Sequence, residues 1–398
     1  HAAGDYPNSN KVLLEAGKLA ERIALSVSKE AASLFLNETV TNYRGEDFER
    51  VLIHMYLGIN FLMLKDADSA RVEFKKVNDL LRDINVTSGK AYKQNLMAKY
   101  LTAIAFEISA DRDNDFNDRE FAYIEYKQIY ELDPRLAMVY RDLQRLSSRL
   151  KDAEDYNKWI GRFGKQDNIP ADAGELVMIF QAGQGAIKLS RGPLLSDKAM
   201  ESGIRVSLNG IPMKEGVTIA GVLVALRVAE NPIPKFQKRS NKIDHVVVNV
   251  DGVDMARTVM LEDIESTAVK NLEDDYARLY MKVAAGIAVK AATAVAAGIM
   301  AKKLAEQSKQ AGGYAGLIGT LVGAGVGAGL VTQIKPDLRC WHTLPANLQL
   351  ARLFLRPGNH KVVVKFRDAA GNQVSPPVES TIQITKGERT FYNYRTLF

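Results

Sequence analysis

Hydrophobic residues in the N-terminal part of the chain recur every three to four positions. This period holds from Lys11 to about Phe163, a range with few runs of β-branched residues and a single proline, Pro134. Such spacing is typical of amphipathic helices that bury one face. We therefore expect residues 1–166 to form a helical domain.

Two segments of this range carry small and aromatic residues at the spacing of the tetratricopeptide repeat. In the second helix of each segment an alanine is followed four positions later by an aromatic residue, so two helices can approach closely around the ring. The interval from Ala70 to Ala122 exceeds the regular repeat of about 34 residues, so the array is irregular. Stacked repeats form a concave groove, which we expect to bind partner proteins. The residues predicted to pack the repeat are Leu57, Gly58, Phe61, Ala70, Phe74, Ala122 and Tyr126.

Beyond residue 166 the pattern changes to short apolar runs bounded by turn residues. Runs of this kind predict β-strands, and the pair Asp251-Gly252 predicts a tight turn after one of them. A helical period then interrupts the strands between about residues 262 and 333, after which strands return. The predicted strands are residues 176–180, 203–208, 217–228, 245–250, 348–355 and 360–368, with a closing hairpin in 381–398.

Together these patterns predict an α+β multidomain fold. Its N-terminal part, residues 1–166, is expected to be a tetratricopeptide-like α-solenoid. Residues 167–398 are expected to form a β-sandwich-like domain, interrupted by a long Ala/Gly-rich helical hairpin at about 262–333.

The second helix of the predicted hairpin contains six glycines between Gly316 and Val331 and no charged residue. Each glycine in a helix interior costs roughly 0.8–1.0 kcal/mol relative to alanine, so this helix needs a partner that packs closely against it. Residues four apart lie on one helix face, which another backbone can then approach. The residues predicted for hairpin packing or membrane contact are Ala288, Ala292, Ala296, Gly319, Gly323 and Gly327.

Two environments for this hairpin remain open from the sequence. The uncharged stretch from Ala311 to Val331 is long enough to cross a bilayer, which takes about 20 residues. Lys290 lies near the middle of the first helix, where a lysine costs about 2.5–3.5 kcal/mol at the bilayer centre. The hairpin is therefore expected either to pack against protein, including other copies of the chain, or to contact a membrane.

Charge and cysteine content exclude some classes of protein. The chain has 53 basic and 47 acidic residues, and the excess is spread thinly along its length. A nucleic-acid-binding protein usually concentrates its positive charge on one surface, so no nucleic acid is expected as a partner. The single cysteine, Cys340, excludes an internal disulfide and a thiolate metal cage. No targeting segment is visible at the start of the sequence.

Motifs for catalysis or cofactor binding are missing from the sequence. Asp111, Asp113 and Asp115 alternate like the start of a calcium loop, but Phe116 and Ala122 stand where the loop needs glycine and glutamate. No histidine has a metal-type neighbour three or four positions away, and no nucleophile elbow or phosphate loop occurs. We therefore expect no enzyme activity, no cofactor and no metal.

Residues 337–341 follow the predicted hairpin and connect it to the next strand. Arg339 is expected to pair with Asp337 or with a carboxylate of the β-rich domain, and Trp341 to cover the base of the hairpin. Cys340, beside this tryptophan, is expected to be buried rather than reactive.

Three segments together resemble a known family. Residues 42–78, the Ala-rich helix and residues 337–364 resemble, in the same order, a family of uncharacterised bacterial cell-envelope lipoproteins with tetratricopeptide repeats. The resemblance implies export to the periplasm and association with the outer membrane. Family members carry a lipid-modified cysteine after the signal peptide, so either that cysteine precedes His1 or the hairpin serves as the anchor.

The function expected from these features is a non-enzymatic envelope scaffold. Its repeats would bind other envelope proteins, and its Gly-rich hairpin would make it a homo-oligomer or a subunit of a larger assembly. The alternative is a membrane-inserting oligomeric subunit of an envelope secretion or motility complex. A third class, an envelope enzyme or a peptidoglycan-binding protein, has no recognisable site in the sequence.

Overall fold

The computed structural model of the protein describes residues 1–27, 43, 45–88, 94–166, 169–208, 226–307, 312–332 and 335–397. These residues form an α+β fold, with helices in the N-terminal part and β-sheets in the C-terminal part. The predicted α+β class is thereby confirmed.

Helices fill the N-terminal part, and successive helices pack against one another. Side chains cap the start of several of them: Asn95 accepts a hydrogen bond from the Ala98 N–H, Asp115 accepts one from the Asn117 N–H, and Asp152 accepts one from the Asp155 N–H. Pro134, which cannot continue a helix, follows the end of the fifth. The helices are α1 (Tyr6–Val27), α2 (Asp47–Met63), α3 (Ala67–Ser88), α4 (Leu96–Asp113), α5 (Phe116–Leu132), α6 (Met138–Arg149) and α7 (Ala153–Phe163).

The C-terminal part contains two four-stranded sheets and a short two-stranded one. The strands are β1 (Gly174–Ala182), β2 (Ile187–Leu189), β3 (Lys235–Gln237), β4 (His245–Val250), β5 (Val253–Arg257), β6 (Val259–Asp263), β7 (Asn347–Leu355), β8 (Gly358–Arg367), β9 (Val378–Ile384) and β10 (Arg389–Arg395). Sheet 1 has the order β10-β1-β7-β6, sheet 2 has the order β5-β4-β8-β9, and β2 pairs with β3. All these pairs are antiparallel except β1 with β10, which is parallel.

Sheet 1 is the middle of three layers. Strand β1 is buried along its whole length, and its side chains alternate between two cores. Val177 and Ile179 join a core shared with the N-terminal helices. Leu176, Met178 and Phe180 join a second core shared with sheet 2. A strand buried on both faces is expected to be apolar throughout, which explains the continuous run at 176–180.

Several strand predictions are confirmed and two are wrong. Runs 176–180, 245–250, 348–355 and 360–368 form strands, and Asp251 and Gly252 have the positive φ angles of a tight hairpin turn. Residues 203–208 are helical, because Met200, Ile204 and Leu208 place one apolar face every four residues. The predicted run 217–228 lies mostly outside the described residues.

The closing hairpin is the second error. Both strands of residues 381–398 exist, but β9 pairs with β8 in sheet 2, whereas β10 pairs with β1 in sheet 1. The chain therefore crosses from one sheet to the other between them. The alternating pattern identified the strands, but it carries no information on which sheet each one joins.

The helical insertion lies between β6 and β7, which are neighbours in sheet 1. It consists of α9 (Ile264–Glu273), α10 (Tyr276–Glu306) and α11 (Ala315–Thr332). We call α10 and α11 the hairpin. A further helix, α8 (Lys198–Leu208), packs against the first half of α10 through Met200 and Ile204.

Candidate functional site

The residues predicted to pack the helical repeat lie in the core between helices. Leu57 and Gly58 are on α2, while Ala70 and Phe74 are on α3. A Cβ added to Gly58 would lie 2.4 Å from the ring of Phe74, so glycine is what allows the two helices this contact. Ala122 and Tyr126 on α5 are fully buried, and Phe61 is half-buried.

The first helices of the three successive pairs, α2, α4 and α6, face sheet 1. From α2, the Tyr56 hydroxyl donates a hydrogen bond to the Gln181 side chain on β1. From α6, the Arg141 guanidinium donates one to the backbone carbonyl of Arg352 on β7. These helices would line the concave groove of a repeat array. The side predicted to bind partners is therefore covered by the chain's own sheet.

A buried group of charges joins the helices to sheet 1. Arg352 extends from β7, with 1% of its side chain exposed, and lies 3.1 Å from carboxylate oxygens of both Glu107 on α4 and Asp142 on α6. Its Nε donates to Glu175 on β1 at 2.7 Å, and its Nη1 donates to the Tyr126 hydroxyl. We call Glu107, Asp111, Asp142, Arg145, Glu175, Arg352 and Arg389 the interface ion cluster.

Opposite charges in this cluster shift the pKa values of Glu107 and Arg352 toward their charged forms. Burial by itself would raise the pKa of Glu107, but the guanidinium groups of Arg145 and Arg352 keep it well below its ordinary value. The carboxylates of Glu107 and Glu175 keep the pKa of Arg352 above its ordinary value, although burial by itself would lower it. Because its charges are paired and hydrogen-bonded, the cluster joins the N-terminal helices to sheet 1.

No motif in the sequence predicts this cluster. The sequence offers two local indications of buried charge. Arg352 is the one charged residue in the apolar run 348–355, and Glu107 lies among apolar residues of a predicted helix. The members of the cluster are contributed by α4, α6, β1, β7 and β10, so no local spacing relates the residues of one element to those of another.

Within the hairpin, glycines bring α10 and α11 together. A Cβ on Gly298 would lie 2.7 Å from the carbonyl oxygen of Gly319, and a Cβ on Gly319 would lie 2.7 Å from that of Gly298. Gly323 is next to this contact, and it is buried together with Gly327. The predicted glycine row therefore lies on the packed side of α11.

The predicted alanine row has a different position. Ala292 and Ala296 are exposed and Ala288 is half-buried. The side of α10 that packs instead carries Ile287, Ala291, Ala294 and Gly298. The correction has a geometric reason: both rows have small residues four apart, but only one contains the glycine that lets the α11 backbone come close.

Large apolar side chains remain exposed on both helices of the hairpin. On α10, Met281, Met300 and Leu304 are 69%, 66% and 67% exposed. On α11, Leu317 and Leu321 are exposed as well. Among the described helices, α10 is the one that is long and apolar enough to cross a membrane; its most apolar window has a mean hydropathy of 1.8 and is 28% buried.

The junction after the hairpin has one of the expected contacts. Arg339 pairs with Asp337 at 2.7 Å, and the Trp341 ring lies 5.6 Å from that of Tyr56 on α2. The Trp341 backbone N–H also donates to Glu49, which helps to hold this segment on α2. Cys340 is half-buried rather than buried as expected; this partial burial raises the pKa of its thiol and lowers its reactivity.

The alternating acidic residues do not form a loop: Asp111 and Asp113 lie in the last turn of α4, and Asp115 directly precedes α5. Asp111 pairs with Arg149 and with Arg389, Asp113 pairs with Arg112, and Asp115 begins α5. In the part of the chain that the structure describes, no group of three or more His, Cys, Asp or Glu side chains is arranged to hold a metal ion.

A single carboxyl near the same interface has an unusual titration. Glu262 on β6 is half-buried and accepts hydrogen bonds from the Asn95 amide, at 2.8 Å, and from the Thr267 hydroxyl. Burial raises its pKa to about 7. Because Glu262 lies on β6 and binds Asn95 at the start of α4, it is part of the helix–sheet contact and not of an open site.

Comparison with known proteins yields no match to a protein-family model, to a curated protein or to a solved structure.

Proposed function

We propose that the protein is a non-enzymatic assembly protein of the bacterial cell envelope, whose helical and β-sheet body presents the hairpin to other molecules. The observation that carries this proposal is the exposed apolar surface of α10 and α11. Soluble monomers rarely expose contiguous apolar patches of more than a few hundred Å², and larger ones usually mark interaction sites. The assignment to the envelope comes from the family resemblance.

The finer description of the body belongs to the same proposal. We take α2 to α7 as an irregular tetratricopeptide-like solenoid, supported by the close fit of Gly58 against Phe74. We take sheets 1 and 2 as a β-sandwich, supported by their shared core.

We assign the intermolecular contact to the hairpin and not to the groove of the repeats. Access to the groove would require separating α4 and α6 from sheet 1, which would expose Arg352 and its carboxylates without their partners. Breaking a buried ion pair costs about 3–5 kcal/mol, and this interface contains several such pairs. The hairpin surface requires no such opening.

The test compares the full chain with a shortened hairpin. Replacing residues 296–324 by a short Gly-Ser turn removes the distal part and keeps Ile287, Ala291 and Ala294, which pack against α8. Light scattering without detergent and flotation with vesicles should show that the full chain self-associates or binds vesicles and that the shortened chain does neither. Equal thermal unfolding of the two bodies is the control, and a full chain that is monomeric and unbound would refute the proposal.

A second candidate, a membrane-inserting oligomeric subunit, is favoured by one observation. Helix α10 has 31 residues, about 46 Å at 1.5 Å per residue, which exceeds the bilayer core of about 30 Å. This candidate predicts that the protein needs detergent to stay in solution. Extraction of the protein from membranes by alkaline carbonate would count against it.

A further inference from the structure

We propose that the open edge of β10 binds an extended peptide segment of another protein. The segment adds to sheet 1 as a further strand and places an acidic side chain against Arg395. In the described part of the chain, β10 pairs with β1 on one side and with no strand on the other. This edge is a surface separate from the hairpin, so its partner is a further one beyond the proposed function.

The backbone of β10 carries hydrogen-bonding groups along its open edge. The Thr396 N–H, just beyond the end of the strand, donates to the Gln181 carbonyl on β1, so the even-numbered residues of β10 direct their backbone groups to β1. The odd-numbered residues direct theirs to the opposite side. Within the described ranges, the N–H and C=O groups of Phe391 and Asn393 have no hydrogen-bond partner. Such a row of donors and acceptors is a template for an added strand.

The other edges of sheets 1 and 2 have features that hinder the addition of a strand. The pairing of β6 with β7, and of β5 with β4, contains a shift in register of the β-bulge type, which disrupts an edge. Strand β9 presents exposed polar side chains, among them Glu379. In contrast, β10 pairs with β1 without a shift, and no charged residue stands between Arg389 and Arg395.

The side chains of β10 offer apolar contacts on both faces of the sheet. Phe391 packs against the core shared with the N-terminal helices, whereas Tyr392 and Tyr394 pack against the core shared with sheet 2. All three are half-buried, so part of each ring is left for an added strand to cover. Aromatic rings pair well with aromatic or β-branched residues of a neighbouring strand. We therefore expect a bound segment with residues of these types.

The charge preference of the edge comes from Arg395. Its guanidinium donates to the backbone carbonyl of Thr343, and it pairs with no carboxylate among the residues that the structure describes. Burial lowers the pKa of Arg395, and the like charge of Arg239 lowers it further. A carboxylate on the added strand would supply the counter-charge through a charge-assisted hydrogen bond.

A second copy of the chain fits this edge less well than a segment of another protein. Strand β10 contains no acidic residue, so a second β10 cannot supply a carboxylate to Arg395 in any register. It would instead bring two further arginines, Arg389 and Arg395, to the same edge. The partner is therefore a segment with its own acidic residue.

Amide hydrogen exchange, followed by NMR, examines this edge in the full chain. In the free protein, the N–H groups of Phe391 and Asn393 should exchange fast, and those of Tyr392 and Tyr394, which face β1, should be protected. Protection of Phe391 and Asn393 that grows with protein concentration would place a second copy on the edge and would overturn the inference.

The binding probes are short random peptides displayed on phage and selected on the full chain. Selected peptides should contain aromatic or β-branched residues at alternate positions and one acidic residue. A synthetic copy of such a peptide should slow exchange at Phe391 and Asn393 by about tenfold or more. It should bind equally to the chain with the shortened hairpin, so this result is independent of the proposed function. If selection yields no peptide, or none that protects these two amides, the inference is wrong.

Two peptides and two variants test the role of Arg395. The selected peptide should bind about fivefold more tightly than an analogue in which the acidic residue is replaced by its amide. Arg395→Gln should abolish this preference. The matched control is Arg367→Gln, because Arg367 ends the central strand β8 and likewise donates to a backbone carbonyl, that of Gly371. This variant should keep the preference.

Fluorescence anisotropy measures the affinities, and circular dichroism establishes that both variants are folded. A preference for the acidic peptide that persists in Arg395→Gln would contradict the assignment of Arg395. Equal binding of the two peptides to the unmodified chain would contradict it without any variant.

Discussion

Arg352 is a cation that the fold holds in its interior by means of carboxylates from separate elements. Glu107 comes from α4, Asp142 from α6 and Glu175 from β1, all within 3.1 Å of its guanidinium. The role of this residue could not be predicted from the sequence, because Glu107 and Arg352 are 245 positions apart. What the sequence does indicate is only that a charged residue interrupts an apolar strand.

Replacing Arg352 by alanine should lower the free energy of unfolding by about 3–5 kcal/mol, because it leaves buried carboxylates without their partner. Urea denaturation of the full chain measures this. The matched control is Arg257→Ala, which removes an exposed arginine from its pair with Asp244 and should change stability by no more than about 1 kcal/mol. Equal effects of the two changes would show that the ion cluster is not what joins the layers.

A substitution of Gly58 tests the predicted close contact between α2 and α3 directly. A Cβ at this position would lie 2.4 Å from the fully buried ring of Phe74, which has no room to move. We expect Gly58→Ala to cost about 1–3 kcal/mol through overpacking. Gly161 on α7 has no such neighbour, so Gly161→Ala should stabilise by up to about 1 kcal/mol. Thermal unfolding measures both, and a neutral Gly58→Ala would contradict the close contact.

Glu262 gives the fold a defined pH dependence. Because burial raises its pKa to about 7, above the ordinary glutamate value of about 4.3, the folded state binds a proton that the unfolded state releases. The stability from this group is therefore complete below about pH 4 and is lost as the pH rises to about 7. The loss is at most about 4 kcal/mol, and partial exposure of the side chain reduces it.

Glu262→Gln should remove this part of the pH dependence. We expect the variant to gain stability over the unmodified chain at about pH 8 and to gain little or nothing at about pH 4. Denaturation at the two pH values measures the difference. The same gain at both would mean that the carboxyl titrates normally in the folded protein.

At the scale of elements, the structure confirms the predicted packing face of one hairpin helix, α11, and contradicts the predicted packing face of the other, α10. Glycines four apart correctly indicated the packed side of α11. The alanines four apart on α10 did not, because spacing alone cannot distinguish a row that faces a partner helix from one that faces outward. The deciding residue is Gly298, whose carbonyl contacts Gly319.

This contact predicts unequal effects of two glycine substitutions on α11. Gly319→Leu has no space, since even a Cβ would lie 2.7 Å from the Gly298 carbonyl and from the Lys302 Cβ. It should destabilise the hairpin by about 1–3 kcal/mol. Gly325→Leu points into open space and should be neutral or mildly stabilising. Limited proteolysis at the hairpin and thermal unfolding together would reveal the opposite order if the packed face were assigned wrongly.

Local hydrophobic patterns predict some of the other elements correctly and fail for one. Strands β1, β4, β7 and β8 follow from continuous or alternating apolar runs, which local sequence encodes. Residues 203–208 were predicted as a strand because they contain isoleucine and valine, although their apolar residues also fit a helix with Met200. The packing of that helix against α10 decides between the two, and this packing depends on residues about 80 positions away.

At the scale of the whole molecule, three layers account for the assignment of the contact surface. Helices α2, α4 and α6 cover one face of sheet 1, and sheet 2 covers the other. The sequence indicates helices and sheets, but it does not indicate that one side of α2, α4 and α6 packs against the sheet. With that side buried, the exposed apolar residues of α10 and α11 are the basis of the proposed intermolecular contact.

The most direct test of this account reads the environment of the hairpin in the intact chain. In a Cys340→Ser background, an environment-sensitive fluorophore is attached to a cysteine at Leu304 or, as the control, at Val86, an exposed residue of α3. Emission is recorded with increasing protein concentration and with vesicles. We expect a blue shift for the probe at Leu304, under at least one of these conditions, and none at Val86. An unchanged spectrum at Leu304 under both conditions would contradict the claim that the hairpin makes the intermolecular contact.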